Sequence, residues 1–242
     1  MRPITVIASL LLATALASPA FAAGSMQMTG HGEVTAAPDT AYVTSGVTSQ
    51  GSTAKDALAA NTKDMAPLIG VLKSAGIEEK DIQTSGFAVN PTYVYSDQKD
   101  ANGYQLPPKI VGYTVVNSVT VHVRDLGILG TMLDQEVGVG ANTINGITFD
   151  VDDPSDLYAQ ARQAAFADAR GKADLYAQAA GVQLGAVEQI SETQNVAQPP
   201  MPYMAKAMAA PMDRGAPVPV EAGQLTFSID VNVNWDIGAT SK

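Results

Sequence analysis

The chain has 242 residues, 24 acidic against 14 basic side chains, a formal net charge of −10, and no cysteine. So acidic a surface repels phosphate backbones and anionic lipid, which argues against nucleic-acid binding and peripheral membrane docking. Without cysteine there is neither disulfide nor thiol chemistry, and the fold must rest on an ordinary hydrophobic core, for which this length suffices.

The first residues read as an export signal. Arg2 supplies a positive start, and residues 4–17 form an apolar run too short to span a bilayer. Ala20-Phe21-Ala22 fits an A-x-A cleavage site. Residues 1–23 are therefore expected to be a signal peptide, leaving one domain over residues 24–242 in an exported, periplasmic protein. Removing Arg2 takes the net charge to −11. No later stretch holds the roughly 20 apolar residues of a spanning helix, so the mature chain is expected to carry no integral membrane segment.

Residues 26–36 are predicted to form a first strand containing Gly30-His31-Gly32-Glu33-Val34, and Pro38-Asp39 signals a turn. Residues 41–48 alternate as a second strand, and the two are expected to pair as a hairpin. Thr53-x-x-Asp56 has the form of a capping box. It opens a helix with Leu58, Met65, Leu68, Ile69 and Leu72 on its apolar face, Asn61 among them, and Gly76 beyond its end. Pro67, inside this pattern, is expected to kink or split it. A strand over 81–95 changes parity at Ser85-Gly86, which predicts a β-bulge. A polar loop over 96–108 leads to a strand over 110–123 with Val111, Tyr113, Val115, Val119, Val121 and Val123 on one face. A short helix over 126–137 and a strand over 144–151 follow.

Asp153, Pro154 and Asp156 then mark the start of a long helix, and Gly181 its left-handed end. Ala161, Ala165, Ala169, Ala173 and Ala177 make a ridge with nothing longer than a methyl, which permits close approach by a sheet. Leu157, Tyr158, Phe166, Leu175 and Tyr176 supply bulk beside it. Gly171 lowers helix propensity by roughly 1 kcal/mol against Ala, so a packing reason for it is expected. A strand over 182–191, a loop over 193–222 rich in Met, Pro and Ala, and an unbroken alternation from Leu225 to Ile237 complete the chain. The whole reads as an α+β fold: an antiparallel or mixed sheet of long strands with helices packed on one face. Strands of this length are expected to reach past the local core to another subunit.

Catalytic chemistry is hard to assemble. His31 and His122 are the only histidines. His122 falls at an outward strand position and is expected to be a satisfied surface residue. His31 lies between two glycines. No nucleophile elbow, zincin, P-loop or dinucleotide motif occurs. Asp150, Asp152, Asp153 and Asp156 lack the spacing of an EF-hand and are expected to serve a helix N-terminus. Met201, Met204, Met208 and Met212 fall within twelve residues. Thioethers at this spacing suit Cu(I), or could consume oxidant reversibly, or could serve only as adaptable hydrophobes, and these three readings stay open.

The run A-x3-A-x2-D-A-x2-K-A-x3-A-x3-G-V-x-L-G-x-V-x2-I-S-E over residues 161–192 resembles the hallmark helix and strand of the SIMPL domain family. Gly30-x-Gly32-x-Val34, Pro38-Asp39-x-Ala41, Asp81-Ile82-Gln83-Thr84, Pro91-x-Tyr93, Gly112-Tyr113-x-x-x-Asn117, Arg124-Asp125, Gly140-Ala141-Asn142 and Ile147-x-Phe149 continue the likeness in order. The resemblance implies a periplasmic or envelope location, a ring-like homo-oligomer, and links to oxidative-stress defence and immunogenicity. It implies no cofactor and no catalytic residues, with the chain itself and other envelope components as partners. Asp168 and Lys172 are expected to be an exposed pair one turn apart.

Overall fold

The computed structural model describes residues 24–195 and 218–239. Its elements are β1 (Gly24–Ala36), β2 (Thr40–Gly51), α1 (Ala54–Ser74), β3 (Ile82–Val94), β4 (Lys109–Val123), α2 (Leu129–Gly138), β5 (Thr143–Asp150), α3 (Ser155–Ala180), β6 (Val182–Gln194) and β7 (Leu225–Ala239). The α+β class holds, with helices on one face of antiparallel strands, and the strands divide into two sheets. One has the order β1-β7-β6 and carries α3; the other has the order β3-β4-β2-β5 and carries α1 and α2.

The expected β1–β2 hairpin does not form. β1 pairs with β7 along thirteen residues, while β2 pairs with β4 and β5. Pairing preferences of the two strands explain the split. β2 buries Ala41, Val43 and Val47 toward α1, whereas β1 presents Gly30 and Gly32 to α3. Residues 37–39 therefore cross from one sheet to the other instead of turning back.

The alanine ridge is buried at every position from Ala161 to Ala177, and it lies against β1 and β7. A Cβ placed on Gly30 would come within 2.0 Å of Ala165 O, and one on Gly32 within 2.2 Å of Ala161 O. Helix backbone thus rests on strand backbone. Glycine in a strand costs about 0.5–1 kcal/mol against alanine, whereas a side chain forced into this contact would cost several times that. Beside the ridge, Tyr158 meets Phe227 edge-on at 5.4 Å, and Phe166 lies 6.4 Å from Trp235. Leu175 and Tyr176 are exposed, contrary to their expected packing role. A Cβ on Gly171 would meet nothing within 4 Å among the described residues, so no packing there explains it. Gly181 adopts φ 68° as the left-handed helix end, and Asp153 Oδ1 accepts the Ser155 N–H at the helix start.

In the second sheet Thr53 caps α1 by accepting the Asp56 N–H at 3.1 Å. The helix runs unbroken through Pro67. Pro67 is exposed, so the carbonyl it deprives of a donor faces water, while the neighbouring Leu68 and Leu72 are fully buried. Their burial, roughly 2 kcal/mol each, offsets the proline penalty of about 3 kcal/mol. Leu58 is exposed, and Ala57 takes its place on the inner face. The β3–β4 ladder shifts register between Thr84 and Gly86, where the bulge was predicted, and again between Thr92 and Tyr93. The second shift sets Ile110 opposite Tyr93, which drops Val111 out of the inward face expected for it. A 3-10 turn over Leu126–Ile128 precedes α2.

Gly30→Ala or Gly32→Ala should lower stability by about 3 kcal/mol or more. Gly171→Ala should raise it by about 0.5–1 kcal/mol, since the site is helical and open. Urea titration of the three variants against the parent measures both signs.

Candidate functional site

Five polar residues gather at one end of the four-stranded sheet. Thr40 opens β2, Asp81 immediately precedes β3, His122 lies near the end of β4 with Arg124 just beyond it, and Asp152 follows β5. Register brings them together, since Ala41 pairs with Val123, Ile82 with Val121, and Thr40 with Asp150. The chain also crosses to the other sheet here. Asp39 N donates to Asp150 O at 3.1 Å, and Asp152 N donates to Asp39 Oδ1 at 2.9 Å.

The His122 ring stacks on Tyr42 at 4.5 Å with an 8° interplanar angle. Its Nε2 lies 2.5 Å from Thr40 Oγ1, and its Nδ1 lies 3.5 Å from Asp81 Oδ1. Thr40 spends its hydroxyl proton on Val123 O at 2.9 Å, so it can only accept from the imidazole, and Nε2 must carry hydrogen. Arg124 grips Asp81 with two N–H groups at 3.2 Å each and reaches Asp152 at 2.7 Å. That guanidinium holds the Asp81 carboxyl below the usual carboxylate range, against the opposing effect of burial, and is itself pushed upward by the pair. His122 does point outward from the sheet, as expected, but these neighbours leave its side chain only 11% exposed. It is a sheltered member of an ionic cluster, not a surface residue.

Thr40, His122 and Asp81 follow one another as the members of a nucleophilic triad do. The geometry does not support that chemistry. Thr40 is 1% exposed, its proton is committed to a carbonyl, and 3.5 Å is too long for the orienting hydrogen bond. Two clefts flank the cluster. One of about 360 Å³ is lined by Ile77, Glu78, Arg124 and Ile128, and one of about 170 Å³ by Tyr42, Lys80 and Gln83. Among the described residues no group of three or more His, Cys, Asp or Glu side chains is placed to hold a metal ion. What the cluster does do is tie the start of β3 to the β5–α3 crossover through Arg124.

The other expected residues are dispersed. His31 Nδ1 lies 2.8 Å from Asp230 Oδ1, which raises the imidazole above its ordinary value. Asp230 is held low, first by Asn195 and then by His31. Asp152 serves Arg124 and Asp150 Oδ1 accepts the Val151 N–H; Pro154, not Asp153 as expected, is the N-cap of α3, with Asp153 accepting the Ser155 N–H before it and Asp156 in the first turn, so the acidic cluster divides its duties. Met201, Met204, Met208 and Met212 lie outside the described residues, as do residues 1–23.

One buried group escaped sequence reasoning. Glu136, on α2, is fully buried; its Oε2 takes the Ser45 hydroxyl at 2.5 Å, and its Oε1 has no partner among the described residues. Burial pushes its carboxyl upward, with the Ser45 hydrogen bond opposing. Only its place on the helical stripe of Leu129, Met132 and Leu133 hints at this in the sequence. Asn142 of the Gly140-Ala141-Asn142 motif is explained too. Its side chain accepts the Thr48 N–H at 2.7 Å and donates to Thr48 O at 2.8 Å, standing in for a strand residue just before β5 begins.

Two antiparallel sheets, each backed by helices, define an α+β protein, and the polar side chains of the His122 cluster are bonded to one another. The chain belongs to the SIMPL family, a protein family of unknown function (DUF541), whose profile matches residues 26–235. It is 38% identical to the 26 kDa periplasmic immunogenic protein of Brucella melitensis over 241 residues, covering 95% of this chain and 94% of that protein. The same figures hold for the namesake protein of Brucella abortus. The uncharacterized protein YggE of Escherichia coli K12 is 30% identical over 203 residues, covering 84% of this chain and 79% of the relative.

Because the folded-state carboxyl of Glu136 is raised, its contribution to stability is fully present below the unfolded value of about 4.3 and is lost as pH rises through the folded value. Unfolding free energy measured from pH 4 to 8 should therefore carry a downward slope from this group. Glu136→Gln should remove that slope while leaving the opposite, acid-side dependence from Asp81 in place.

Proposed function

We propose that the mature chain is a periplasmic, non-enzymatic building block that associates with itself into a closed, ring-like homo-oligomer. The observation that carries the reading is an apolar stripe on the inward face of the second sheet that no helix among the described residues covers. Phe87, Val89, Pro91 and Tyr93 of β3 share a face with the buried Val115 and Val119, since Val89 pairs with Val115 and Tyr93 with Ile110. α1 lies over β2 and β4 and scarcely reaches β3. Phe87 is left 57% exposed and Ile110 50%. β2 ends opposite Tyr113, so β3 and β4 continue beyond it as a two-stranded arm with Tyr95 and Tyr104 exposed past its end. An isolated ribbon of two strands is marginal in water, so such an arm needs a partner surface. Closed association of identical copies satisfies it without leaving a free end.

The periplasmic setting is supported by the relative named for that compartment and by the signal-like residues 1–23. Among the described residues no helix is long and apolar enough to cross a membrane. The link to oxidative-stress defence and a channel-like passage through the ring belong to the same proposal and rest on the family resemblance. Light scattering of the purified mature chain tests it. Phe87→Ser combined with Tyr93→Ser should reduce the assembly to single folded chains, and a parent protein that is already monomeric at micromolar concentration would refute the reading.

A second reading rests on the close spacing of Met201, Met204, Met208 and Met212, which suits Cu(I) ligation or reversible oxidation in an oxidising compartment. Changing all four to Leu should abolish Cu(I) binding and peroxide tolerance. If the quadruple variant matches the parent in both assays, the segment is a connector.

A further inference from the structure

Every sheet has two outer edges, and unpaired strand edges invite pairing with other chains. Among the described residues the edge strands are β1 and β6 in one sheet and β3 and β5 in the other. Three of them carry a familiar protection. The ladders of β3, β5 and β6 each contain a register shift, and such irregularities twist an edge away from new partners. β1 has none. Its thirteen pairs with β7 run without a break from Gly24 to Ala36, and its only ionisable side chains are His31 and Glu33. Long, regular and weakly charged, it is the edge most suited to accept another strand.

Alternate residues of a strand turn their backbone groups to opposite sides. On β1, the N–H of His31 and the C=O of Thr29 point away from β7, and both are occupied by α3. His31 N donates to Asp168 Oδ2 at 2.9 Å, and Lys172 Nζ donates to Thr29 O at 3.0 Å. The two side chains are joined to each other at 2.6 Å. One acceptor and one donor, locked together, thus stand where a neighbouring strand would place its own carbonyl and amide. The close seat of α3 on Gly30 and Gly32 is what brings them over the edge. We propose that Asp168 and Lys172 guard the β1 edge. With both side chains removed, β1 pairs antiparallel with the β1 edge of a second copy. The pair is more than the exposed i,i+4 contact that its spacing suggests, because each member also holds strand backbone.

The inference is independent of the β3–β4 arm, so it is tested in the mature chain carrying Phe87→Ser and Tyr93→Ser. Asp168→Ala with Lys172→Ala preserves helix propensity, alanine being the best helix former. In dilute solution the His31 amide should then exchange with deuterium about tenfold faster or more. On concentration the mass should double, and the amides of odd-numbered residues from 25 to 35 should become protected. Lys172→Arg, which keeps a donor, should behave as the parent does. Unchanged mass with unchanged His31 exchange would overturn the proposal, as would a dimer in which those amides stay open. Should the double variant not fold, Asp168→Ala alone is read by His31 exchange, and no acceleration there overturns it equally. A parent assembly indifferent to the arm substitutions would sink the arm reading and leave this one standing.

Discussion

Backbone-to-backbone contact between α3 and β1 is the constraint from which much of the molecule follows. A methyl-only ridge on the helix meets two glycines on the strand, and neither partner could be larger. That contact fixes the helix over β1 and β7 and leaves β6 only lightly covered. It sets Phe166 and Tyr158 against Trp235 and Phe227, where aromatic area replaces what the alanines cannot bury. It also carries Asp168 and Lys172 to the strand edge. Packing density, aromatic placement and edge chemistry thus share one geometric cause.

The second sheet obeys a different logic. Its core is built from β-branched and long aliphatic side chains of β2, β4, α1 and α2, and two of the polar residues inside it are bound to a backbone carbonyl and a hydroxyl. Asn61 donates to Val47 O at 2.8 Å, and Ser45 serves Glu136. The His122 cluster lies outside this core, where the two sheets are joined. An ion pair there is worth little as an isolated contact. Its value is positional, because Arg124 links the ends of segments separated by 28 and 43 residues.

Periodicity made most elements legible. The β7 alternation, the α1 cap at Thr53, the α3 ridge and the bulge near Gly86 all depend on local spacing, and all stand where the sequence places them. Partners were not legible. β1 and β2 are adjacent in sequence and both read as strands, but which strand each pairs with depends on complementary surfaces far along the chain, on β7 for β1 and on β4 and β5 for β2. Leu58 and Val111 illustrate a finer limit, since a one-residue shift of face moves a hydrophobe from core to surface. The site was partly readable. Asp81, Arg124 and Asp168 stand in motifs that the sequence singled out, yet their bonds to Asp152 and to the backbone of His31 are tertiary facts. Glu136 was invisible because a carboxylate within an apolar stripe reads as a surface residue.

The strand order has a consequence for how such a chain matures. The four-stranded sheet draws on one continuous stretch, residues 40–150, and can condense as soon as that stretch is available. The three-stranded sheet cannot, because its middle member is β7, the last of the described elements, and β1 must wait for a partner some two hundred positions downstream. Contacts so distant close slowly. A chain made available from its N-terminal side onward would therefore have one half already settled while β1 is still unmatched, and β7 would close the second sheet.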